Sequence, residues 1–164
     1  MIEIVEFKNK YASFFESLNR AWIEEHYTIE LKDKYVLENP KEAILNDGGK
    51  ILFAKHNSNI IGTVALKKIH DGLFELTKMA VDKNSRGLGV GKLLCKSAIE
   101  EAKKMKAKTI ILYSNTRQSI AINIYRQVGF IEIPVEEGIY DRANIKMELA
   151  LRESLTIIFP NLFS

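Results

Sequence analysis

The segment VDKNSRGLGVGKL, residues 81–93, is the most informative stretch of the chain because it joins a predicted strand to a predicted helix. Glycines at alternating positions let a backbone turn tightly and approach a ligand without interference from Cβ atoms. Amides at the start of a helix favour an anion, and basic side chains add to that preference. The glycines are Gly87, Gly89 and Gly91, and the basic residues are Lys83, Arg86 and Lys92. The segment therefore predicts a phosphate or pyrophosphate site, with a loop that merely caps a helix as the alternative.

Two common phosphate-binding motifs do not fit this segment. A P-loop needs a glycine and a hydroxyl residue where the chain has Arg86 and Leu93. A dinucleotide-binding fingerprint needs its third glycine one residue later than Gly91, and no acidic residue closes the predicted strand over residues 109–113 to bind a ribose. The spacing thus argues against an ordinary nucleotide-binding protein.

Hydrophobic periodicity on both sides of this loop predicts the other elements. The predicted strands cover residues 1–6, 51–55, 60–69, 74–81, 109–113, 130–133 and 145–149, and the predicted helices cover residues 11–22, 90–105 and 120–128. Residues 23–50 are predicted to be irregular or to form shorter helices. Three consecutive strands before the loop form an antiparallel meander, whereas the later alternation of helix and strand requires a parallel pair. We therefore predict an α/β fold with a mixed sheet.

Composition restricts the class of protein further. The 164 residues suit one domain, with 46% hydrophobic and 27% charged residues and a net charge of +3. That charge is too small to predict a nucleic-acid partner, and no apolar run approaches the ~20 residues of a membrane span. The single cysteine, Cys95, cannot form an internal disulfide, which favours a cytoplasmic protein. Cys95 itself is predicted to be a packing residue. The three histidines lack metal-site spacing, so no metal is predicted.

Three motifs together resemble the GNAT N-acetyltransferase superfamily. Arg86-x-x-Gly89-x-Gly91 is similar to the family's acyl-coenzyme-A pyrophosphate loop, written [QR]-x-x-G-x-[GA]. The segment ELTKMAV at residues 75–81 looks like its fourth strand. The segment AINIY at residues 121–125, followed by VGF at 128–130, looks like its A-x-x-x-Y helix and G-F turn. The resemblance covers about residues 1–150, and residues 151–164 form an apolar C-terminal extension of the same domain.

The resemblance implies a fold and a cosubstrate. The fold is a single GNAT-like domain with a mixed, mostly antiparallel sheet flanked by helices, and the cosubstrate is acetyl-CoA. The implied cofactor-binding residues are Met79, Ala80, Val81, Arg86, Gly87, Leu88, Gly89, Val90, Gly91, Lys92 and Asn115. The resemblance implies that the backbone of Met79, Ala80 and Val81 binds pantetheine, which pairs with the strand like an added strand. It also implies that the Met79 amide stabilises the oxyanion. Gln118 stands where the family often has an asparagine, and Asn115 lies earlier in the chain.

The resemblance also implies two catalytic residues. Glu75 is the general base that deprotonates the amine, directly or through a water, and a solvent-facing strand glutamate is the alternative. Tyr125 is the general acid for the departing thiolate, and a core aromatic residue with its hydroxyl near the surface is the alternative. Strand alternation predicts that Lys78 lies on the opposite face from Glu75 and has no role beyond charge balance.

The resemblance further implies that the acceptor is a primary amine, which the sequence does not identify. A small amine and a protein lysine or N-terminus both stay open; a narrow, closed pocket favours the former and an open groove the latter. Tyr113, Tyr140 and Arg142 lie where a substrate can touch them, and Arg142 is a candidate for binding a substrate carboxylate. A non-catalytic acyl-CoA-binding regulatory module is the alternative function. The apolar tail packs on its own domain or forms a homodimer.

Overall fold

The computed structural model describes residues 1–138 and 141–151. Its helices are α1 (Ala12–His26), α2 (Leu31–Glu38), α3 (Val90–Lys104) and α4 (Ser119–Gln127). Its strands are β1 (Ile2–Glu6), β2 (Lys50–His56), β3 (Asn59–His70), β4 (Leu73–Val81), β5 (Thr109–Ser114), β6 (Ile131–Ile133) and β7 (Ile145–Ala150). The predicted elements are present with small differences at their ends. Tyr140 and the predicted tail from Arg152 onwards lie outside the described residues.

The seven strands form one sheet in the order β1-β2-β3-β4-β5-β7-β6. All neighbouring strands are antiparallel except β4 and β5, which are parallel. The mixed, mostly antiparallel sheet predicted from the sequence is therefore confirmed. The parallel pair exists because α3 connects β4 to β5, and a crossover helix returns the chain in the same direction. None of the helices in the described ranges has the length and apolar character that crossing a membrane requires.

The two faces of the sheet carry separate cores. On one face, α3 and α4 pack against strand side chains such as Leu66, Phe74 and Leu112. On the other face, α1 and α2 pack against side chains such as Phe53 and Ala65. This division follows from the alternation of side chains along each strand. It places Phe74 and Leu76 of β4 in the first core and turns Glu75 towards α1 and α2.

The sheet opens between β4 and β5. Residues 73–75 pair with residues 109–111, and Glu75 is the last paired residue of β4. Beyond it the two strands separate, so the edge of β4 that faces β5 has no partner strand over residues 76–81. Backbone amides and carbonyls along such an edge are available to a ligand.

A β-bulge lies in the open part of β4. Thr77 pairs with Ala65 and Ala80 pairs with Thr63, so two residues of β4 stand opposite one residue of β3. Lys78 takes the extra position with φ of 53°, a left-handed conformation that is uncommon for lysine. The bulge turns Lys78 towards Asp33 on α2, the same side as Glu75. The prediction that Lys78 lies on the opposite face is therefore wrong, because regular alternation does not hold across a bulge.

Candidate active site

A cavity of about 530 Å³ occupies the gap between β4 and β5. The catalytic and cofactor-binding residues implied by the resemblance all line this cavity except Leu88, a residue that is 59% exposed. The lining predicted residues are Glu75, Met79, Ala80, Val81, Arg86, Gly87, Gly89, Val90, Gly91, Lys92, Asn115 and Tyr125. The tertiary structure thus brings together residues from β4, the glycine-rich loop, α4 and the end of β5.

The glycine-rich loop ends at an open helix N-terminus. Gly87 and Gly89 have φ of 87° and 78°, and Gly89 is the N-cap of α3 without any side-chain cap. A Cβ atom at either position would meet nothing within 4 Å, so the left-handed backbone, not lack of space, accounts for glycine there. The first turn of α3 contains no acidic residue. Its unbonded amides and the helix dipole therefore favour an anion.

Arg86 is held at the edge of this loop by an ion pair with α1. Its two terminal nitrogens donate to Glu25 Oε1 at 3.1 Å and Oε2 at 2.7 Å. The hydrogen bond from Arg86 is the main cause that lowers the pKa of Glu25. Both side chains are partly exposed, so the pair is accessible to an entering ligand. An anion that binds Arg86 must compete with Glu25.

Glu75 lies at the point where β4 and β5 separate. The residue is 8% exposed, and burial raises the pKa of its carboxyl more strongly than the charges of Lys67, Lys78 and Lys146 lower it. Burial disfavours the charged form of a carboxyl because low-polarity surroundings solvate the ion poorly. Glu75 is therefore a carboxyl in the cavity with increased affinity for a proton.

Tyr125 reaches the cavity from α4. Its ring packs edge-on against Phe130 with centroids 6.0 Å apart, and the residue is 7% exposed. Burial raises the pKa of its hydroxyl, so the proton is retained at neutral pH. The nearby Cys95 is fully buried, and burial raises the pKa of its thiol to about 12. Cys95 is thus an inert packing residue, as predicted.

Sequence analysis missed a buried ionic cluster beside the cavity. Asp33 of α2 is 0% exposed and accepts from Lys78 Nζ at 2.7 Å and from both terminal nitrogens of Arg142 at 2.7 Å. Burial is the largest single influence and acts to raise the pKa of Asp33. The hydrogen bonds and charges of the two cations together outweigh it and hold that pKa far below its usual range. The only local signal was the pairing of Glu30 with Asp33 at the start of α2, where the two form a capping box.

Arg142 and Asn115 support the loop before β7. Arg142 also donates to Glu30 at 2.7 Å, so its guanidinium binds carboxylates of the protein itself. Asn115 donates its side-chain amide to the Arg142 carbonyl at 2.7 Å and accepts from the Arg117 amide at 2.9 Å. Both ends of the Asn115 amide group therefore hold backbone at the cavity rim.

The remaining lining is largely aromatic and apolar. Trp22 and Tyr27, whose ring centroids are 6.4 Å apart, line the side formed by α1, and Tyr113 lines the side formed by β5. Across residues 1–138 and 141–151, no three His, Cys, Asp or Glu side chains come together in a way that could hold a metal ion.

Comparison with known proteins adds independent findings. The model of the acetyltransferase (GNAT) family matches residues 11–130. An uncharacterized N-acetyltransferase of Bacillus subtilis, YvbK, is 29% identical over 104 residues, which cover 62% of this chain and 67% of that protein. The crystal structure of a GNAT-family acetyltransferase from Staphylococcus aureus Mu50 superposes with a TM-score of 0.82 at 28% identity. That match covers 93% of this chain and 100% of the other.

A more distant structure shares the fold. The structure of yncA from Salmonella typhimurium, titled a putative acetyltransferase and solved with its cofactor acetyl-CoA, has a TM-score of 0.75 at 17% identity. That match covers 94% of this chain and 96% of the other. The chain spans between 29% and 67% of the length of the curated relatives that it matches.

Proposed function

This chain belongs to the acetyltransferase (GNAT) family, and we propose that it transfers the acetyl group of acetyl-CoA directly to a primary amine. One observation carries the proposal. The gap between β4 and β5 joins, in a single cavity, an unpaired strand edge, an uncapped helix N-terminus with basic neighbours, and two protonatable groups, Glu75 and Tyr125. Each part suits a different portion of a thioester of coenzyme A.

The proposed cosubstrate contacts follow from the chemistry of each part. The pyrophosphate accepts hydrogen bonds from the amides of the loop over residues 86–92 and from the basic side chains Arg86 and Lys92. The pantetheine arm carries amide groups, which pair with the open edge of β4 at Met79, Ala80 and Val81. Asn115 lies at the opposite rim of the gap, at the end of β5.

The proposed reaction uses three groups of the chain. Glu75 takes a proton from the ammonium, directly or through a water, because only the neutral amine has a lone pair for attack. The new N–C bond forms while the amide of Met79 donates to the oxyanion of the tetrahedral intermediate. The C–S bond then breaks, and the hydroxyl of Tyr125 gives its proton to the thiolate. The nitrogen loses its second proton as the amide forms, and that proton restores the Tyr125 hydroxyl. The raised pKa of Glu75 increases the affinity of this base for the proton that it takes from the amine.

The compartment is also part of this proposal. The single cysteine is buried and unreactive, so nothing in the described chain depends on an oxidising environment. We place the enzyme in the cytoplasm, where acetyl-CoA is available to it.

A thermal-shift panel with acetyl-CoA, CoA, ATP and NAD tests the cosubstrate. A ligand at 100 times its Kd adds about 2.7 kcal/mol to the free energy of unfolding. That gain raises the Tm of a domain of this size by roughly 5–10 °C. We expect the shift with acetyl-CoA and CoA alone, followed by release of free CoA thiol when amines are added. Thermal shift without thiol release from any amine would favour the non-catalytic acyl-CoA-binding module instead.

A further inference from the structure

We assign the amine acceptor to the side of the cavity that faces α1 and α2. Contacts between α2 and the loop before β7 bridge this acceptor side. Arg142 of that loop donates to Asp33 and Glu30, each at 2.7 Å. Lys32 donates to the carbonyl of Gly138 at 3.4 Å, on the same pair of elements. An extended peptide needs an open groove between these elements, whereas the contacts tie them together. The bridge therefore obstructs this part of the cavity and favours a small acceptor over an extended peptide.

The cations on this side of the cavity are neutralised within the protein. Lys78 and Arg142 carry two positive charges, and Asp33 and Glu30 carry the two negative charges that they contact. Lys146 contacts Glu136 in the same way. An acceptor that brings a carboxylate would meet no uncompensated positive charge among these groups. The carboxylate of such an acceptor would instead meet the carboxyl group of Glu75, which repels it when ionised, the form in which Glu75 accepts a proton from the amine.

Among the described residues, two buried carboxyl or amide side chains line the cavity and offer an oxygen acceptor to an amine. One is the Glu75 carboxylate. The other is the side-chain carbonyl of Asn19, which lines the cavity although the residue is 1% exposed. The amide nitrogen of Asn19 donates to the Phe15 carbonyl at 2.9 Å within α1, so the oxygen is the polar atom left for a ligand. Oxygen acceptors bind the N–H donors of an amine, and the aromatic walls suit an apolar substituent.

From this arrangement we infer that the acceptor is a small primary amine carried by an uncharged, apolar or aromatic group, and not an amino acid or a peptide N-terminus. The inference rests on the proposed acetyl transfer and names its substrate class. Asn19 and Glu75 bind the amine, Trp22, Tyr27 and Tyr113 surround the apolar part, and the Asp33–Arg142 bridge limits its size and charge.

Four matched amines test the inference by CoA thiol release. They are 2-phenylethylamine, phenylalanine, phenylalanine amide and a pentapeptide that begins with phenylalanine. We expect kcat/KM for 2-phenylethylamine to exceed that for phenylalanine by at least about tenfold, because bringing like charges together is costly. Phenylalanine amide controls for branching beside the amine and should fall closer to 2-phenylethylamine. The pentapeptide should have a lower kcat/KM than phenylalanine amide because it is too long for the bridged part of the cavity.

A variant of the bridge adds a readout that a purely structural role would not move. Asp33→Asn leaves Lys78 and Arg142 without their shared counter-charge, so the preference should shift towards phenylalanine by about tenfold relative to 2-phenylethylamine. Asp71→Asn makes the same chemical change at a fully exposed turn and should leave the preference unaltered. If Asp33→Asn does not fold, the panel on the unaltered protein decides.

The outcomes separate this inference from the function beneath it. If phenylalanine or the pentapeptide is turned over as well as 2-phenylethylamine or better, the inference is overturned and the proposed acetyl transfer is unaffected. Binding of acetyl-CoA with turnover of none of the four amines also overturns it. Failure to bind acetyl-CoA at all would overturn the proposed function itself.

Discussion

Asp33 and Glu75 are two buried carboxyl groups on the same side of the sheet, and their surroundings drive their pKa values in opposite directions. Asp33 is 0% exposed and Glu75 is 8% exposed, and burial by itself acts to raise the pKa of each carboxyl. Asp33 receives direct hydrogen bonds from Lys78 and Arg142, which overcome burial and lower its pKa. Glu75 has positive charges at a distance, and these do not overcome burial. Direct contact with a cation decides the difference.

The comparison separates a structural carboxylate from a chemical one. A buried charge that is paired and hydrogen-bonded fixes the elements around it, and here Asp33 joins α2, the bulge of β4 and the loop before β7. A buried carboxyl with weaker compensation is destabilising, and such groups are concentrated at functional sites. The strand that carries Glu75 also carries Lys78, so the stable cluster holds the reactive group in place.

The largest expected effect comes from breaking the Asp33 cluster. Asp33→Asn should lower the free energy of unfolding by about 3–5 kcal/mol, because it leaves two cations beside a neutral group in a buried site. Urea denaturation followed by circular dichroism measures this, with Asp71→Asn as the exposed control. A loss below about 1 kcal/mol would show that the cluster contributes little beyond a surface ion pair.

The second effect is on turnover. Glu75→Gln should lower kcat by about 100-fold or more, because the amine loses its proton acceptor, and should leave the Kd for acetyl-CoA nearly unchanged. Steady-state thiol release and calorimetric titration with acetyl-CoA measure the two quantities. Glu3→Gln, at an exposed strand position of β1, is the matched control. Full activity of Glu75→Gln at every pH would return Glu75 to the role of an ordinary strand glutamate.

The third effect concerns the pH dependence of stability, to which Glu75 and Asp33 contribute with opposite signs. The raised pKa of Glu75 means that the folded protein loses stability as the pH rises through that pKa, since the unfolded chain ionises more easily. Glu75→Gln should therefore be more stable than the unaltered protein at pH 8, and the difference in stability should close at low pH, where both side chains are neutral.

The Asp33 variant should behave in the opposite way. The lowered pKa of Asp33 stabilises the folded protein above about pH 4, and that stabilisation is lost as the pH falls further. The deficit of Asp33→Asn should thus be full at neutral pH and shrink in acid. Tm values of both variants from pH 3 to 8 check the pair of slopes; parallel slopes would contradict the comparison.

The smallest effect concerns the exposed pair of Arg86 and Glu25. Glu25→Gln should tighten acetyl-CoA binding by up to about fivefold, because the ligand no longer competes for Arg86, and exposed pairs are weak. Calorimetric titration measures the change, with Glu24→Gln on the same helix as control. Weaker binding in Glu25→Gln would mean that the pair positions Arg86 for the ligand.

Much of this structure was predictable from local sequence. The glycine-rich loop, the strand before it and the helix after it follow from glycine content and periodicity, which act over a few residues. The turn at Asn57 and Ser58, both with positive φ, joins β2 and β3 into the first hairpin of the predicted antiparallel meander. The alternation of helix and strand also predicted a parallel pair, and the crossover through α3 between the neighbouring strands β4 and β5 forms it.

The cluster around Asp33 was decided by tertiary structure alone. Lys78 lies 45 residues from Asp33 and Arg142 lies 109 residues from it, so no local pattern relates them. The bulge that turns Lys78 towards α2 breaks the strand alternation on which the sequence prediction depended. Sequence by itself determined which residues form strands, helices and the anion-binding loop, since those depend on near neighbours. The pairing of buried charges depends on which distant segments the packing brings within hydrogen-bond distance, and only the folded chain contains that information.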